Sequence, residues 1–136
     1  MLIRNILEES VRKFDEVKAV KWLKKKEIME RSYGELMENV VSTRKGLLAE
    51  GFEGKHIALI GTSSVEWMES YLGIITGCTT AVPLDAALPC EDLIDLLNRS
   101  DSVALFLSPK LKPYLDAFLE NCPKLQKVWM LQEEVE

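Results

Sequence analysis

The chain has 136 residues, and its 17 Lys and Arg against 22 Asp and Glu give a formal net charge of -5. Apolar residues make up 47% and charged residues 29% of the sequence, which is the balance of a globular domain and excludes the disordered class. The length fits one ordinary domain, residues 1–136. A net negative charge gives no overall field that attracts nucleic acid or an anionic membrane, so we expect neither as a partner.

The amino terminus and the cysteines exclude further classes. The opening MLIRNILEESVRKF mixes apolar and charged residues at helical spacing, which predicts neither a signal peptide nor a membrane anchor, and we expect a cytoplasmic protein. The most apolar stretch, residues 71–84, is broken by glycine and proline and is shorter than the roughly 20 residues of a membrane helix. Cys78, Cys90 and Cys122 are odd in number and far apart, which predicts buried, inert thiols and no zinc site or disulfide framework.

The first elements are a helix and a hairpin. Residues 2–14 form one apolar face at helical spacing, with Ile3, Ile6, Leu7, Ser10, Val11 and Phe14. The following VKAVKWLKKKEIMERSY predicts two short strands that turn over the charged Lys24-Lys25-Lys26-Glu27. The lysine run is a candidate phosphate patch, but a solvated hairpin tip explains it with fewer assumptions.

A second helix is delimited by clear signals at both ends. Ser32-Tyr33-Gly34-Glu35 has the pattern of a capping box, so we expect a helix from Tyr33, and Gly51 suits the left-handed residue that ends it. Its predicted apolar stripe is Leu36, Val40, Val41, Leu47 and Leu48.

From His56 onward the pattern alternates between short apolar runs and helical segments. The runs are HIALIG, TTAVPL, SVALFL and QKVWML, and the segments between them are residues 65–76, 91–99 and 111–120. The apolar faces expected on these helices are Met68, Tyr71, Leu72 and Ile75, then Leu93, Ile94, Leu96 and Leu97, then Leu111, Tyr114, Leu115, Phe118 and Leu119. Runs that are apolar throughout are typical of strands buried on both faces. The predicted fold class is therefore α/β: an N-terminal helix and β-hairpin, then βα units that form a mostly parallel sheet covered by helices.

Ligands of open α/β sheets gather at the carboxyl ends of the strands, so the strand-to-helix turns are the candidate sites. The first turn, Gly61-Thr62-Ser63-Ser64, offers a glycine, hydroxyls and a following helix, as a phosphate cradle does. It lacks the further glycines of a dinucleotide site and the Gly-Lys-Ser or Gly-Lys-Thr of a P-loop. Ordinary helix capping by Ser63 or Ser64 is therefore favoured.

The second turn contains Asp85, a candidate for the phosphate-accepting aspartate of a receiver-type domain. Such a domain also needs carboxylates at the end of the first strand to hold a divalent cation, and Gly61-Thr62-Ser63-Ser64 has none. The third turn, Ser108-Pro109-Lys110, supplies a lysine, but Ser-Pro is also a common helix start, with serine as the cap. The receiver hypothesis is therefore disfavoured.

The remaining candidates have ordinary explanations. His56 has no Gly-x-Ser-x-Gly nucleophile to serve, so a surface or capping histidine is expected. Trp22, Trp67 and Trp129 lie in separate elements of an acidic chain, which favours packing over a base-stacking platform. The residues thus predict no catalytic, cofactor-binding or metal-binding site in this chain.

A succession of short motifs nevertheless resembles a known family. The motifs are Ser32-Tyr33-Gly34-Glu35-Leu36, His56-Ile57-Ala58-Leu59-Ile60-Gly61, Val65-Glu66-Trp67, Tyr71-Leu72-Gly73-Ile74-Ile75-Thr76-Gly77 and Val82-Pro83-Leu84-Asp85. In order and spacing they resemble the amino-terminal part of AMP-forming acyl-CoA synthetases, which belong to the adenylate-forming ligases. Pro83-Leu84-Asp85 with Leu88-Pro89, followed by Leu97-Asn98-Arg99-Ser100, is most similar to the long-chain fatty-acid–CoA ligase branch.

The resemblance implies an activity for a longer protein. Its members activate a carboxylic acid with ATP and Mg²⁺ to an acyl-adenylate and transfer the acyl group to coenzyme A. Their Ser/Thr/Gly-rich phosphate loop ending in Pro-Lys does not occur here, because Ser108-Pro109-Lys110 lacks the run before it. The family implies a structural Asp85 whose carboxylate accepts from the amides of its own turn.

We therefore expect an N-terminal fragment of a larger AMP-binding ligase domain that binds no cofactor and catalyses nothing alone. Its expected partners are the remainder of the ligase chain and, through exposed apolar surface, a second copy of itself. The alternatives are a noncatalytic, stand-alone α/β protein-interaction module and, behind it, a degenerate receiver-like domain.

Overall fold

The computed structural model describes residues 2–131, which form six helical segments and six strands. The α-helices are α1 (Ile3–Phe14), α2 (Tyr33–Ala49), α3 (Val65–Ile75), α4 (Cys90–Arg99) and α5 (Leu115–Asn121), and a 3₁₀ helix spans Pro109–Tyr114. The strands are β1 (Lys18–Lys24), β2 (Glu27–Ser32), β3 (His56–Gly61), β4 (Thr80–Asp85), β5 (Ser102–Leu107) and β6 (Lys127–Met130). The predicted α/β class, N-terminal helix, hairpin and βα units are confirmed.

The strands form two sheets. Strands β1 and β2 pair antiparallel as a hairpin, whereas β3 to β6 form a parallel sheet in the order β4-β3-β5-β6. The central strands β3 and β5 are buried along most of their length, while β4 and β6 are only half-buried. The prediction that all four runs are buried on both faces is therefore wrong for β4 and β6, because each of these lies at an edge of the described sheet.

Helices cover both faces of the parallel sheet. On one face, Ile57, Leu59, Ala104 and Phe106 pack with residues of α2 and α3 in one core cluster. On the other face, residues of α4, the 3₁₀ helix and α5 cover the alternate strand residues, which are Ala58, Ile60, Leu105 and Leu107. The chain is thus a three-layer α/β unit. Within residues 2–131, no helix is long and apolar enough to cross a bilayer.

The hairpin turns at the predicted lysines. Lys25 and Lys26 both have positive φ, 48° and 68°, which is the backbone geometry of a two-residue turn that matches the twist of the strands. Asn-Gly is the usual pair at such a turn, so two lysines adopt this conformation at some local cost.

Both ends of α2 follow the sequence signals. The hydroxyl of Ser32 accepts a hydrogen bond from the Glu35 amide at 3.1 Å, and the Glu35 carboxylate accepts from the Ser32 amide at 3.0 Å. Gly51, with φ of 76°, follows the C-terminal end. Of the predicted stripe, Leu36, Val40 and Leu47 are buried, but Leu48 is 47% exposed and does not belong to the core.

The face that α3 buries differs from the prediction. Met68, Tyr71, Leu72 and Ile75 are half-buried, and the buried residues of α3 are Val65, Glu69, Ser70, Gly73 and Ile74. The cause is that α3 packs against α2 as well as against the sheet, and Gly73 faces Val40 and Thr43 of α2. An apolar pattern alone does not reveal a helix-to-helix contact that is made through small and polar residues.

Three smaller expectations also fail. The predicted helix at residues 111–120 is a 3₁₀ helix followed by a short α5, since Pro113 interrupts regular α-helical bonding. Leu119 in α5 is 53% exposed. Cys78 is exposed and Cys90 is partly exposed, so of the three thiols only Cys122 is buried. Burial raises the pKa of the Cys122 thiol, as expected for an inert core cysteine.

Candidate functional site

The three strand-to-helix turns lie together at the carboxyl ends of the parallel strands. Gly61 lies in register with Asp85 of β4, and Ile60 lies in register with Leu107 of β5. The Ser108 amide donates to the Ile60 carbonyl at 2.9 Å, which holds the third turn against the first. The three turns that the sequence singled out therefore lie next to one another.

The point where the strand order reverses lies between β3 and β5. The chain places β4 on one side of β3 and then crosses to β5 and β6 on the other side. Ligands of such sheets bind in the crevice at this reversal. Side chains crowd Gly61 here, because an added Cβ on Gly61 would lie 3.2 Å from both Leu131 Cδ1 and Trp67 Cδ1. Ser108 is fully buried at the same place.

A cleft opens instead between the ends of β3 and β4. It measures about 510 Å³ and is lined by Gly61, Thr62, Ser63, Trp67, Leu84, Asp85, Ala86 and Ala87. Asp85 is the one ionisable residue among these described lining residues, and its carboxylate accepts from the Ala87 amide at 2.9 Å. This confirms the predicted turn-stabilising role of Asp85. A lone carboxylate opposes the binding of a phosphate group at this cleft.

The helix that follows the first turn is capped by its own side chain. Ser64 accepts from the Trp67 amide at 3.0 Å, so the capping prediction is confirmed for Ser64. One amide of the α3 amino terminus is thereby occupied and no longer free to hold an anion. The corresponding prediction for Ser108 is confirmed in position: Ser108 stands at the N-cap and Pro109 in the first turn of the 3₁₀ helix. The Ser108 side chain, however, makes no capping hydrogen bond.

A buried polar cluster lies elsewhere, between the hairpin and the two helices α2 and α3. The Glu69 carboxylate accepts from Asn39 Nδ2 at 2.7 Å and lies 3.4 Å from Arg31 Nη1. Its side chain is 7% exposed, while Arg31 Nε is buried without a hydrogen-bond partner in the described structure. The Arg31 guanidinium also lies 5.3 Å from the ring centre of Trp22. Sequence reasoning missed this cluster.

Electrostatics explain what this cluster does. Burial raises the pKa of Glu69, and the hydrogen bond from Asn39 and the charge of Arg31 oppose that rise. The three side chains come from β2, α2 and α3, so the cluster joins the hairpin to the helical layer. Since donors already occupy the carboxylate, its geometry indicates a structural tie. The spacing Val65, Glu69, Gly73, at intervals of four, is the signal that places Glu69 on the buried face of α3.

The other predicted candidates are dispersed. His56 is exposed at the start of β3, and its Nδ1 lies 2.6 Å from the Ser100 carbonyl, which agrees with the surface role expected for it. Trp67 stacks on Tyr71, and Trp129 stacks on Phe106, with ring centres 5.3 and 5.0 Å apart, so both serve packing. Among residues 2–131, no group of three or more His, Cys, Asp or Glu side chains is placed to hold a metal ion.

Solved structures define the class of protein to which this fold belongs. Coronafacic acid ligase from Pectobacterium brasiliense superposes with a TM-score of 0.85 at 20% identity, over 99% of this chain and 26% of that one. The N-terminal domain of FACL13 from Mycobacterium tuberculosis superposes with a TM-score of 0.84 at 18% identity, over 96% of this chain and 34% of that one. The anthranilate CoA ligase AuaEII in complex with anthranoyl-AMP superposes with a TM-score of 0.84 at 18% identity, over 96% of this chain and 25% of that one. The fold is that of the N-terminal part of an adenylate-forming ligase.

The sequence comparison then fixes the family. The family model described as AMP-binding enzyme matches residues 7–135, so the chain belongs to the AMP-binding enzyme family. No curated protein matches the sequence at a significant level. The chain spans about a quarter of the length of AuaEII and of coronafacic acid ligase, and about a third of the FACL13 N-terminal domain. The resemblance drawn from the motifs is confirmed.

Proposed function

We propose that this chain is the N-terminal scaffold portion of an AMP-dependent ligase that activates a fatty acid and transfers it to coenzyme A. In the first step the carboxylate attacks the α-phosphate of ATP to give an acyl-adenylate and pyrophosphate. In the second step the thiol of coenzyme A takes the acyl group and AMP leaves. The observation that carries the proposal is the family match over residues 7–135. The residues 1–136 then form one α/β unit within a larger AMP-binding domain.

The site geometry supports a scaffold role for this portion. Negative charge accumulates on the phosphates during adenylation, so a catalyst needs amides, a lysine and a metal ion directed at them. In the described residues Leu131 and Trp67 crowd Gly61 at the end of β3, and the neighbouring cleft holds the carboxylate of Asp85. The groups that bind ATP, Mg²⁺ and coenzyme A therefore belong to the remainder of the ligase chain, which is the principal partner of this unit.

The unit contributes a rigid supporting element to that larger domain. Its central strands β3 and β5 are buried, and the Glu69 cluster joins the hairpin to α2 and α3. A rigid element holds a neighbouring catalytic segment more accurately than a loop does. We place the whole enzyme in the cytoplasm, with no nucleic acid among its partners.

Two activity measurements test this proposal. The 136-residue chain, given ATP, Mg²⁺ and a fatty acid, should release no pyrophosphate, whereas the polypeptide encoded by the reading frame that continues it should show ATP–pyrophosphate exchange that depends on the acid. Pyrophosphate release by the chain alone would contradict the scaffold role. A reading frame without a phosphate loop would instead favour the second candidate.

The second candidate is a noncatalytic protein-interaction module. It is favoured by exposed apolar side chains in the hairpin, Leu23 at 72% and Ile28 at 71%, and at the N-cap of α1, Leu2 at 68%. Under the ligase proposal these side chains are covered by later parts of the same polypeptide. The receiver-like alternative requires carboxylates at the end of β3, and Gly61 and Thr62 stand there.

A further inference from the structure

We draw no further inference here: the strongest candidate, the surface patch at the tip of the β1–β2 hairpin where Leu23 and Ile28 are exposed beside Lys25 and Lys26, carries none, because nothing in the described residues shows what covers it.

Discussion

The two faces of the parallel sheet are held together in different ways. On the face covered by α4 and α5, the contacts are made by large apolar side chains, of which Leu93, Leu97 and Phe118 are fully or almost fully buried. On the face covered by α2 and α3, the helices also contact each other closely at Gly73 and through the hydrogen bond between Asn39 and Glu69. We therefore expect side-chain truncation to destabilise the face covered by α4 and α5. On the face covered by α2 and α3, added atoms and a changed charge should destabilise the fold.

The difference explains why the apolar pattern predicts the buried residues of one face better than those of the other. Leu93 and Leu97 follow the apolar period of a helix, and both are buried as this period predicts. Glu69 and Gly73 are polar or small, and their burial depends on the approach of α2, which is a tertiary contact.

The largest effect is expected from truncation on the apolar face. Phe118→Ala should lower the free energy of unfolding by about 3–5 kcal/mol, because the fully buried ring leaves a cavity among α4, α5 and the sheet. Leu119→Ala, at the neighbouring exposed position, is the control and should cost less than about 1 kcal/mol. Urea unfolding of both variants measures the difference. Equal losses would show that α5 does not pack as described.

Addition of a methyl group at Gly73 should disrupt the contact between α2 and α3. A Cβ on Gly73 would lie 2.6 Å from Thr43 Cβ and 3.0 Å from the Val40 carbonyl oxygen. Gly73→Ala should therefore destabilise the chain by about 2–3 kcal/mol. Gly46→Ala in α2 is the control, since an added Cβ there meets nothing within 4 Å and should stabilise by about 0.5–1 kcal/mol. Thermal unfolding should shift in opposite directions for the two variants, and a shared direction would contradict the close helix contact.

The buried carboxylate on the same face should make stability depend on pH. Because burial raises the pKa of Glu69, the folded state holds its proton more strongly than the unfolded state. Its stabilising contribution is complete below the ordinary glutamate pKa and is lost as the pH rises through the raised pKa of the folded state. Glu69→Gln should remove this part of the pH dependence.

Urea unfolding at a series of pH values compares Glu69→Gln with the wild type. Glu38→Gln, on the exposed side of α2, is the control and should retain the wild-type slope. If Glu69→Gln and the wild type change in parallel over the whole series, the carboxylate is not held in the environment described here.

The smallest effect is expected in the hairpin, which lies outside both faces. Lys26→Gly should stabilise the chain by about 0.5–1 kcal/mol, because glycine adopts the positive φ of 68° without steric cost. Lys21→Gly, in the exposed middle of β1, should instead destabilise by about 0.5–1 kcal/mol. Both values come from chemical unfolding, and a destabilising Lys26→Gly would argue against the left-handed turn.

Features encoded within a few residues could be predicted from the sequence. The capping box of Ser32 and Glu35, the Gly51 terminus and the turn formed by Asp85 each depend on local hydrogen bonds and dihedral angles. The edge positions of β4 and β6 could not, since strand order depends on how the crossover helices place each strand. The exposure of Cys78 likewise depends on what surrounds the end of α3.

The candidate site likewise has features that the sequence predicts and features that it does not. Turns that follow parallel strands lie at the same end of a sheet, which predicts that Gly61, Asp85 and Ser108 are neighbours. The structure places these three residues together at the carboxyl ends of the strands. The close approach of Leu131 to Gly61 brings together residues that are distant in the sequence, which no local pattern encodes. The absence of catalytic, cofactor-binding and metal-binding residues from this chain remains a prediction.

Isothermal calorimetry of the 136-residue chain tests the scaffold claim most directly. The chain is titrated first with ATP and Mg²⁺ and then with a nonhydrolysable acyl-adenylate mimic. We predict no heat of binding in either titration, because Leu131 and Trp67 crowd Gly61 and the adjoining cleft carries the Asp85 carboxylate. Saturable binding with a micromolar dissociation constant would contradict the account and would place a nucleotide site at the turn from Gly61 to Ser64.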